Sequence, residues 1–411
     1  MRMNIERIKR DMEAIGAFNR TPGQGFTRFS YSQEDREARN YLRRQFDLLE
    51  LETTVDGAGN MRARLAGSDP GAPAVMTGSH IDTVLYGGKF DGLLGTLAAL
   101  EVVRVFREEK FAPRHPVEIV VFAEEEGSNF GTTTTGSKFL VGRNKLSEMH
   151  RLKTSDGISM YDTVKAFGLD PDIVESQILK PGDVKVMLEV HIEQSVVLES
   201  KSVSVGIVEA IAGVKAFEIV LEGVSNHAGA TPMGLRNDAL VGTARIVEAV
   251  EKLAMESPYP HTVGTVGRIQ CEPNVGNIIP GRVTFSLDVR DVVDEGMAYM
   301  AEAVGREVEK TAKACGLKHS MRLIGESRAI RLPEEVTDVL AACAEERGLQ
   351  YLRMNSGAVH DCCLMSDIAP VGLIFVPSVG GRSHVPQEET RWEDIEKGAD
   401  LLLAAVVRFA R

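Results

Sequence analysis

The chain has 411 residues, of which 43% are hydrophobic and 26% are charged, as in an ordinary globular protein. At roughly 150 residues per domain, this length indicates about two domains. The formal net charge of -12 argues against a nucleic acid or an anionic membrane as a partner, because either would require a concentrated basic surface.

The N-terminal segment predicts an amphipathic helix with Ile5, Ile8, Met12 and Ile15 on one face. It lacks the apolar core of a secretory signal, and no stretch of the chain approaches the roughly 20 apolar residues of a membrane span. The five cysteines form no C-x-x-C pair. We therefore expect a reduced, cytoplasmic protein.

Short apolar strands alternate with helices in the first and last thirds of the chain. Buried strands are predicted in AVMTGS, PVEIVVFAEE and VGLIFVP, with helices in LLGTLAALEVVRVFREE and PEEVTDVLAACAEERG. Two further helices are predicted to begin at capping boxes, one formed by Ser32 and Asp35 and the other by Thr390 and Glu393. This order predicts an α/β fold with a mostly parallel sheet.

The middle of the chain has a different order, strand, helix, strand, strand, helix, strand. Its predicted segments are KAFEIVLEG, DALVGTARIVEAVEKLAM, TVGTVGRIQ, GRVTFSLDVR, EGMAYMAEAVGREVEKTAKACG and SMRLIGES. This β-α-β-β-α-β order is typical of a ferredoxin-like domain. We expect that domain at residues 212–329, inserted into an α/β domain made of residues 1–211 and 330–411.

Imidazoles and carboxylates gather where the predicted strands end, which is where open α/β sheets place their functional residues. They are His80, Asp82, Asp91, Glu124, Glu125, Glu126, Glu189, His191 and His384. Each has a structural alternative, since FDG is typical of a turn and EEE of a solvated charge run. Their coincidence favours a site for Zn²⁺, Mn²⁺, Co²⁺ or Ni²⁺, with Asp82 placed to accept the second ring N–H of His80.

Six motifs in order resemble one enzyme family over nearly the whole chain. They are GSHIDTV with GGKFDGLLG, AEEEGSNF, EVHIEQSVVLES, SNHAGATPMGLRNDAL, NIIPGRVTFSLDVR and PSVGGRSHVPQEE. Together they are similar to the dinuclear-metal amidohydrolases typified by N-carbamoyl-L-amino acid hydrolase. Allantoate amidohydrolase and β-ureidopropionase are close members of that group, and carboxypeptidase G and aminoacylase are more distant.

The resemblance implies a two-metal site. His80, Asp91 and His191 would bind one ion, Asp91, Glu126 and His384 would bind the other, and Asp91 would bridge them. Glu125 would be the general base that activates a bridging water. The glycines around Asp91 would allow the tight turn that this arrangement needs.

The resemblance also implies the substrate contacts. Gln194, His227, Asn277 and Arg290 would bind substrate, and the backbone would approach it at Gly357. Arg290 would grip a carboxylate through its planar guanidinium group. His227 would reach the site of the partner subunit in a homodimer and help to hold the oxyanion. His360, in SGAVHDCC, would support the site from behind the ligands.

The implied reaction is hydrolysis of the ureido group of an N-carbamoyl-L-amino acid, which releases ammonia and CO₂. Allantoate is the alternative substrate, and an N-acyl amino acid hydrolase or a peptidase of the same fold is a second enzyme reading. A third hypothesis is a non-catalytic metal-binding protein. The intact set of implied ligands argues against it. Asn129, Ser195 and Val359 depart from the family pattern beside the site, and they bear on the choice of substrate.

Overall fold

The computed structural model describes all 411 residues. The chain divides into two compact units. The first consists of Met1–Glu209, Leu332–Met354 and Val359–Arg411, and the second of Ala210–Arg331 and Asn355–Ala358. One unit is therefore assembled from distant parts of the sequence, while nearly all of the other is a single continuous segment.

The chain forms sixteen strands, twelve α-helices and three short 3₁₀ helices. The strands are β1 (Glu52–Val55), β2 (Met61–Leu65), β3 (Ala74–His80), β4 (Val117–Phe122), β5 (Val184–Ile192), β6 (Val205–Ile211), β7 (Gly213–Glu222), β8 (Asn226–His227), β9 (Val263–Thr265), β10 (Ile269–Glu272), β11 (Ile278–Ile279), β12 (Arg282–Asp291), β13 (Lys318–Ser327), β14 (Ile330–Arg331), β15 (Tyr351–Ser356) and β16 (Val371–Val376). The α-helices are α1 (Ile5–Gly16), α2 (Gln33–Leu48), α3 (Leu93–Glu108), α4 (Thr135–Leu140), α5 (Leu146–Arg151), α6 (Met160–Ala166), α7 (Val197–Lys201), α8 (Ala239–Met255), α9 (Asp294–Cys315), α10 (Glu334–Glu346), α11 (Asp361–Met365) and α12 (Trp392–Ala410). The 3₁₀ helices are Pro171–Gln177, Met233–Leu235 and Val379–Gly381. None of the helices has both the length and the apolar character that crossing a bilayer requires.

The sheet of the first unit confirms the predicted α/β class. Its strands follow the order β1-β2-β4-β3-β5-β16-β6, and the four central strands, β4, β3, β5 and β16, are parallel. Every residue of β3, β4 and β16 is buried, as expected for parallel strands covered on both faces. Apolar residues of α1, α3 and α12 pack with these strands in one core.

The second unit contains the antiparallel sheet that the ferredoxin-like pattern predicts. The strand order is β10-β12-β7-β13, with β9 also paired to β12, and α8 and α9 pack on it through one apolar cluster. The segment TVGTVGRIQ does not form one strand, however. It is divided into β9 and β10, which pair with opposite ends of β12.

Of the two predicted capping boxes, one is half correct and the other is wrong. The Ser32 hydroxyl accepts the Asp35 N–H at the start of α2, but the Asp35 carboxylate accepts the Tyr31 N–H instead of capping Ser32. The helix α12 begins one residue later than predicted, with Arg391 at its N-cap. Thr390 is fully buried and its hydroxyl has no partner, so it caps nothing.

Candidate metal centre

The carboxyl ends of the parallel strands bring the predicted ligands of the first unit together. His80 is the last residue of β3, the three glutamates follow β4, and His191 lies near the end of β5. Asp91 precedes α3, and His384 lies in the loop that follows β16. Parallel strands end at the same edge of a sheet, so the edge becomes the meeting point of residues far apart in sequence.

Asp91 lies at the centre of this cluster. Its Oδ1 atom is 3.1 Å from His191 Nε2 and 3.5 Å from His80 Nε2. Its Oδ2 atom is 3.2 Å from His384 Nε2, which is itself 3.4 Å from Glu126 Oε2. The donor atoms therefore form two groups of three that share Asp91, within each of which all atoms lie within 4.8 Å of one another.

Backbone carbonyls set the proton positions of two of the imidazoles. His80 Nδ1 is 3.0 Å from the carbonyl oxygen of Asp82, and His191 Nδ1 is 2.9 Å from that of Ile192. A carbonyl oxygen can only accept, so each Nδ1 carries a proton, and Nε2 is the ring nitrogen that faces Asp91.

The support given by Asp82 to His80 differs in one detail from the prediction. The contact is made by the Asp82 carbonyl, while the carboxylate Oδ1 lies 3.8 Å from His80 Nδ1. The other carboxylate oxygen accepts the Glu126 N–H at 3.1 Å, which holds the side chain away from the ring. Asp82 thus supports both a histidine and the turn that carries the glutamates.

A glycine at position 92 is required by the histidine beside it. Gly92 has a φ of +65°, a left-handed conformation that other residues adopt at a cost. A Cβ at this position would overlap the His80 imidazole. The turn between Asp91 and α3 can therefore approach His80 only because residue 92 has no side chain.

Burial favours the protonated form of two glutamates of the cluster, whereas Asp91 is held in its ionised form. Burial, reinforced by Asp91, raises the pKa of Glu126 to about 8. Burial also raises the pKa of Glu125 well above its usual range, with Asp361 and Glu126 acting in the same direction. At Asp91 burial acts upward too, but the three imidazoles hold its pKa well below the usual range.

This donor set fits divalent cations. Three imidazoles and buried carboxylates are ligands that first-row ions accept, and a nearby cation would offset the cost of burying those charges. Two buried oxygens at the cluster, Asp82 Oδ1 and Gln194 Oε1, have no hydrogen-bond partner. Glu125 Oε2 lies 3.8 Å from His80 Nε2, and the donor atoms of Glu125, His80 and Glu126 also lie within 4.8 Å of one another.

Gln194 and His360 also lie at the cluster. Gln194 Nε2 donates to Asp91 Oδ2 over 2.8 Å, from a residue whose φ is +60°. The His360 ring packs edge-on against the His191 ring, with centroids 4.6 Å apart. Burial lowers the pKa of His360 well below its usual value, so the ring is neutral and supports His191 by packing.

The second unit holds the other predicted substrate residues. Arg290 Nε donates to Asp288 Oδ1 and its Nη1 donates to the carbonyl oxygen of Gly357, each over 2.9 Å. The Asn277 side chain is exposed. Arg290 and Gly357 are thus joined directly, which the sequence did not indicate.

His227 is exposed on the second unit and has a defined tautomer. Its Nδ1 accepts the N–H groups of Gly229 at 3.1 Å and Ala230 at 3.2 Å. The proton of the neutral ring is therefore on Nε2, which is left as an outward donor.

Asn129, one of the departures from the family pattern, binds a buried glutamate. Its side-chain amide donates to Glu124 Oε2 at 2.7 Å and to the Ser30 carbonyl at 2.9 Å, and its backbone N–H donates to Glu124 Oε1. The buried Glu124 carboxylate is therefore held by a neutral amide.

Two polar residues that the sequence did not single out also reach the cluster. Ser383 Oγ is 2.9 Å from Asp91 Oδ2, and Glu388 accepts the backbone N–H of Asp91 at 3.1 Å. Their only sequence signal was their place in the motif SHVPQEE, next to His384.

Comparison with known proteins identifies the family. Residues 76–408 match the family described as Peptidase family M20/M25/M40. The chain belongs to this family. Members of peptidase family M20/M25/M40 are metal-dependent hydrolases, in agreement with the ligand cluster around Asp91.

Individual relatives match over almost the full chain. An N-carbamoyl-L-amino-acid amidohydrolase of Pseudomonas sp. (strain NS671) is 36% identical over 405 residues, which are 98% of this chain and 98% of that protein. The allantoate amidohydrolase of Escherichia coli (strain K12) is 33% identical over 98% of this chain and 97% of its own. A crystal structure of an amidase of the hydantoinase/carbamoylase family from Burkholderia multivorans has a TM-score of 0.92 at 32% identity, covering 100% of this chain and 98% of that one. The resemblance seen in the six motifs is confirmed.

Proposed function

We propose that this chain is a two-metal amidohydrolase that cleaves the ureido group of an N-carbamoyl-L-amino acid. The observation that carries the proposal is the position of Asp91, whose two carboxylate oxygens face two separate sets of ligands. Water adds to the ureido carbonyl carbon and both C–N bonds are broken, so that one substrate and one water give ammonia, CO₂ and the amino acid.

We propose specific roles for the residues of the first unit. His80, Asp91 and His191 hold one cation, and Asp91, Glu126 and His384 hold the other. A pair of divalent cations supplies a lowered water pKa and a polarised carbonyl when it is bound. Glu125 takes the proton of the attacking water and delivers it to the leaving nitrogen, from a position 3.8 Å from His80 Nε2.

Residues of the second unit, together with Gln194 of the first, are proposed to recognise the substrate. Arg290 binds the substrate carboxylate, for which the fork of a guanidinium group is suited. Gln194 and Asn277 supply amide contacts, and the exposed backbone at Gly357 allows close approach. His227, with its proton on Nε2, donates to the developing oxyanion in the partner subunit of a homodimer.

The ion is one of Zn²⁺, Mn²⁺, Co²⁺ or Ni²⁺, because imidazole and carboxylate ligands accept them all. The five cysteines are all free, in keeping with a cytoplasmic enzyme. Allantoate is the second candidate substrate. It is supported by the 33% identity to an allantoate amidohydrolase over nearly the whole chain.

The test is ammonia release by metal-stripped protein before and after reloading with Mn²⁺. The substrates are N-carbamoyl-L- and N-carbamoyl-D-amino acids, 3-ureidopropionate and allantoate, with an N-acetyl amino acid assayed for free amine. We expect ammonia from an N-carbamoyl-L-amino acid and only after reloading. Ammonia from allantoate alone would favour the second candidate, and free amine alone would contradict both.

The variant Glu125→Gln tests the general base in the same assay. We expect it to bind the same amount of Mn²⁺ and to lose roughly 100- to 10,000-fold in turnover, the usual contribution of general-base catalysis. Turnover close to that of the unchanged protein would remove Glu125 from this role.

A further inference from the structure

Glu388 is a buried carboxylate that none of the roles above uses. Its side chain is 3% exposed, yet it forms no ion pair with a lysine or arginine. Burying a carboxylate is costly unless hydrogen bonds satisfy it. The contacts that it makes therefore indicate what it does.

One oxygen of Glu388 holds the turn that carries Asp91. Oε1 accepts the backbone N–H groups of Phe90 at 2.9 Å and of Asp91 at 3.1 Å. Two donors converging on one carboxylate oxygen fix the orientation of that peptide segment. The direction of the Asp91 side chain is fixed along with it.

The other oxygen holds the loop that carries His384. Oε2 lies 3.1 Å from Ser383 Oγ, and Ser383 Oγ lies 2.9 Å from Asp91 Oδ2. Gln194 Nε2 completes the group, at 2.8 Å from Asp91 Oδ2 and 3.3 Å from Ser383 Oγ. Glu388 thus touches both segments that must meet at the shared carboxylate.

Gly88 provides the space for this carboxylate. A Cβ on residue 88 would overlap the Glu388 carboxyl group, and its three nearest neighbours are all atoms of that one side chain. Gly88 is not among the glycines with a positive φ, the conformation that disfavours a side chain. An alanine at this position would therefore act by displacing Glu388.

We infer that Glu388 is a positioning residue that locks Asp91 and the His384 loop in one arrangement, so that a single carboxylate can serve two metal ions. The inference rests on the proposed two-cation site. It assigns to Glu388 no contact with substrate or metal. Residues that orient metal ligands typically contribute about 10- to 100-fold to metal affinity.

The experiment is a calorimetric titration of Mn²⁺ into metal-stripped protein, which needs no substrate. We compare Glu388→Ala, Gly88→Ala, the double variant and Glu388→Gln with the unchanged chain, and use Glu389→Gln as the control because Glu389 is exposed beside Glu388. We expect Glu388→Ala and Gly88→Ala each to weaken Mn²⁺ binding by about 10- to 100-fold. The double variant should bind Mn²⁺ at least as weakly as Glu388→Ala, because a Cβ on residue 88 would still lie 2.4 Å from the Cβ that alanine keeps at position 388.

Glu388→Gln should remain within a few-fold of the unchanged chain. Its amide oxygen still accepts the N–H groups of Phe90 and Asp91, and its amide N–H can donate to Ser383 Oγ, which then donates to Asp91. Near-normal Mn²⁺ binding by Glu388→Gln would show that the hydrogen bonds of residue 388, and not the overall fold, account for the loss in Glu388→Ala. If Glu388→Ala does not fold, Gly88→Ala and Glu388→Gln still test the inference.

Unchanged Mn²⁺ affinity in both alanine variants would overturn the inference, as would a glutamine variant as weak as Glu388→Ala. Absence of Mn²⁺ binding by the unchanged chain would instead contradict the two-cation site itself. If Mn²⁺ binds to all variants as expected but no ureido substrate releases ammonia, only the proposed reaction would be contradicted.

Discussion

Arg290 already pairs with Asp288, and this pairing limits how much substrate affinity should be lost when Arg290 is removed. The guanidinium group pairs with Asp288 and with the Gly357 carbonyl, and it is 35% exposed, so solvent screens it in part. A carboxylate bound at this group would still gain a charge-assisted hydrogen bond, worth roughly 1.5–3 kcal/mol. The proposed role in substrate binding therefore predicts a moderate, measurable effect.

We expect Arg290→Ala to raise the KM for the carboxylate-bearing substrate by roughly 10- to 100-fold, as the loss of one charged hydrogen bond implies. Steady-state kinetics with Mn²⁺-loaded protein would measure it. Arg322→Ala is a suitable control, because Arg322 is 70% exposed on the same sheet and pairs with Glu218. An unchanged KM would exclude Arg290 as the carboxylate ligand.

The clustering of the residues at the strand ends was predictable, because their type, spacing and position after apolar runs all indicated one shared site. Glu388 was not predictable in this way. It stands beside Glu389 in the run PQEE, and no local pattern distinguishes the buried glutamate from the exposed one. The two glutamates differ only in the tertiary structure, where the turn at Asp91 contacts Glu388.

At the scale of elements, a buried charge network attaches α1 and α2 to α3. Arg104, on α3, pairs with Asp11 of α1 and with Glu101, and it donates to Gln45 of α2 at 2.7 Å. Arg104 and its two acidic partners are nearly inaccessible to solvent. Removing Arg104 would leave the buried Asp11 carboxylate with the Tyr41 hydroxyl and Arg10, while Glu101 would keep Arg7, so most of the cost falls on Asp11.

We expect Arg104→Ala to lower the free energy of unfolding by roughly 3 kcal/mol, the usual cost of breaking a buried ion pair. Urea denaturation of metal-stripped protein would measure the change without interference from metal binding. Arg43→Ala, at an exposed position of α2, should change stability by less than about 0.5 kcal/mol. Equal effects of the two variants would show that the network does not stabilise the fold.

Most elements were predictable because their apolar periodicity is strong, and the failures have local physical causes. The strand predicted in TVGTVGRIQ is interrupted at residues 266–268, since its two halves pair with different ends of β12. The sequence pattern predicts Thr390 as a helix cap, but its buried hydroxyl lacks the backbone N–H that a cap requires. Both outcomes depend on tertiary contacts, which sequence patterns do not contain.

At the scale of the whole molecule, the proposed homodimer makes a prediction about mixed subunits. His227 is exposed and presents an Nε2 donor outward, as a residue offered to another subunit would. Its loop also exposes the large apolar side chains of Met233 and Leu235. If His227 completes the active site of the partner subunit, a variant lacking His227 and a variant lacking the general base should regain activity when they form mixed dimers.

We expect His227→Ala and Glu125→Gln to be nearly inactive alone, and their one-to-one mixture to regain about one quarter of the full activity after subunit exchange. Half of the dimers would then be mixed, and each would contain one complete site. Ammonia release before and after exchange measures this recovery. A mixture no more active than its components would place His227 in the site of its own subunit, or in none.

The pairing of β5 with β16 has a consequence for how the protein is made. These neighbouring parallel strands are separated by roughly 180 residues of sequence, so at about 5–20 residues per second a ribosome needs some 10–40 s between them. During that interval the nascent chain presents one open edge of β5, an apolar strand competent for wrong pairing. The second unit, which is almost continuous in sequence, can fold during this interval. The first unit therefore begins to be synthesised before the second but is completed after it.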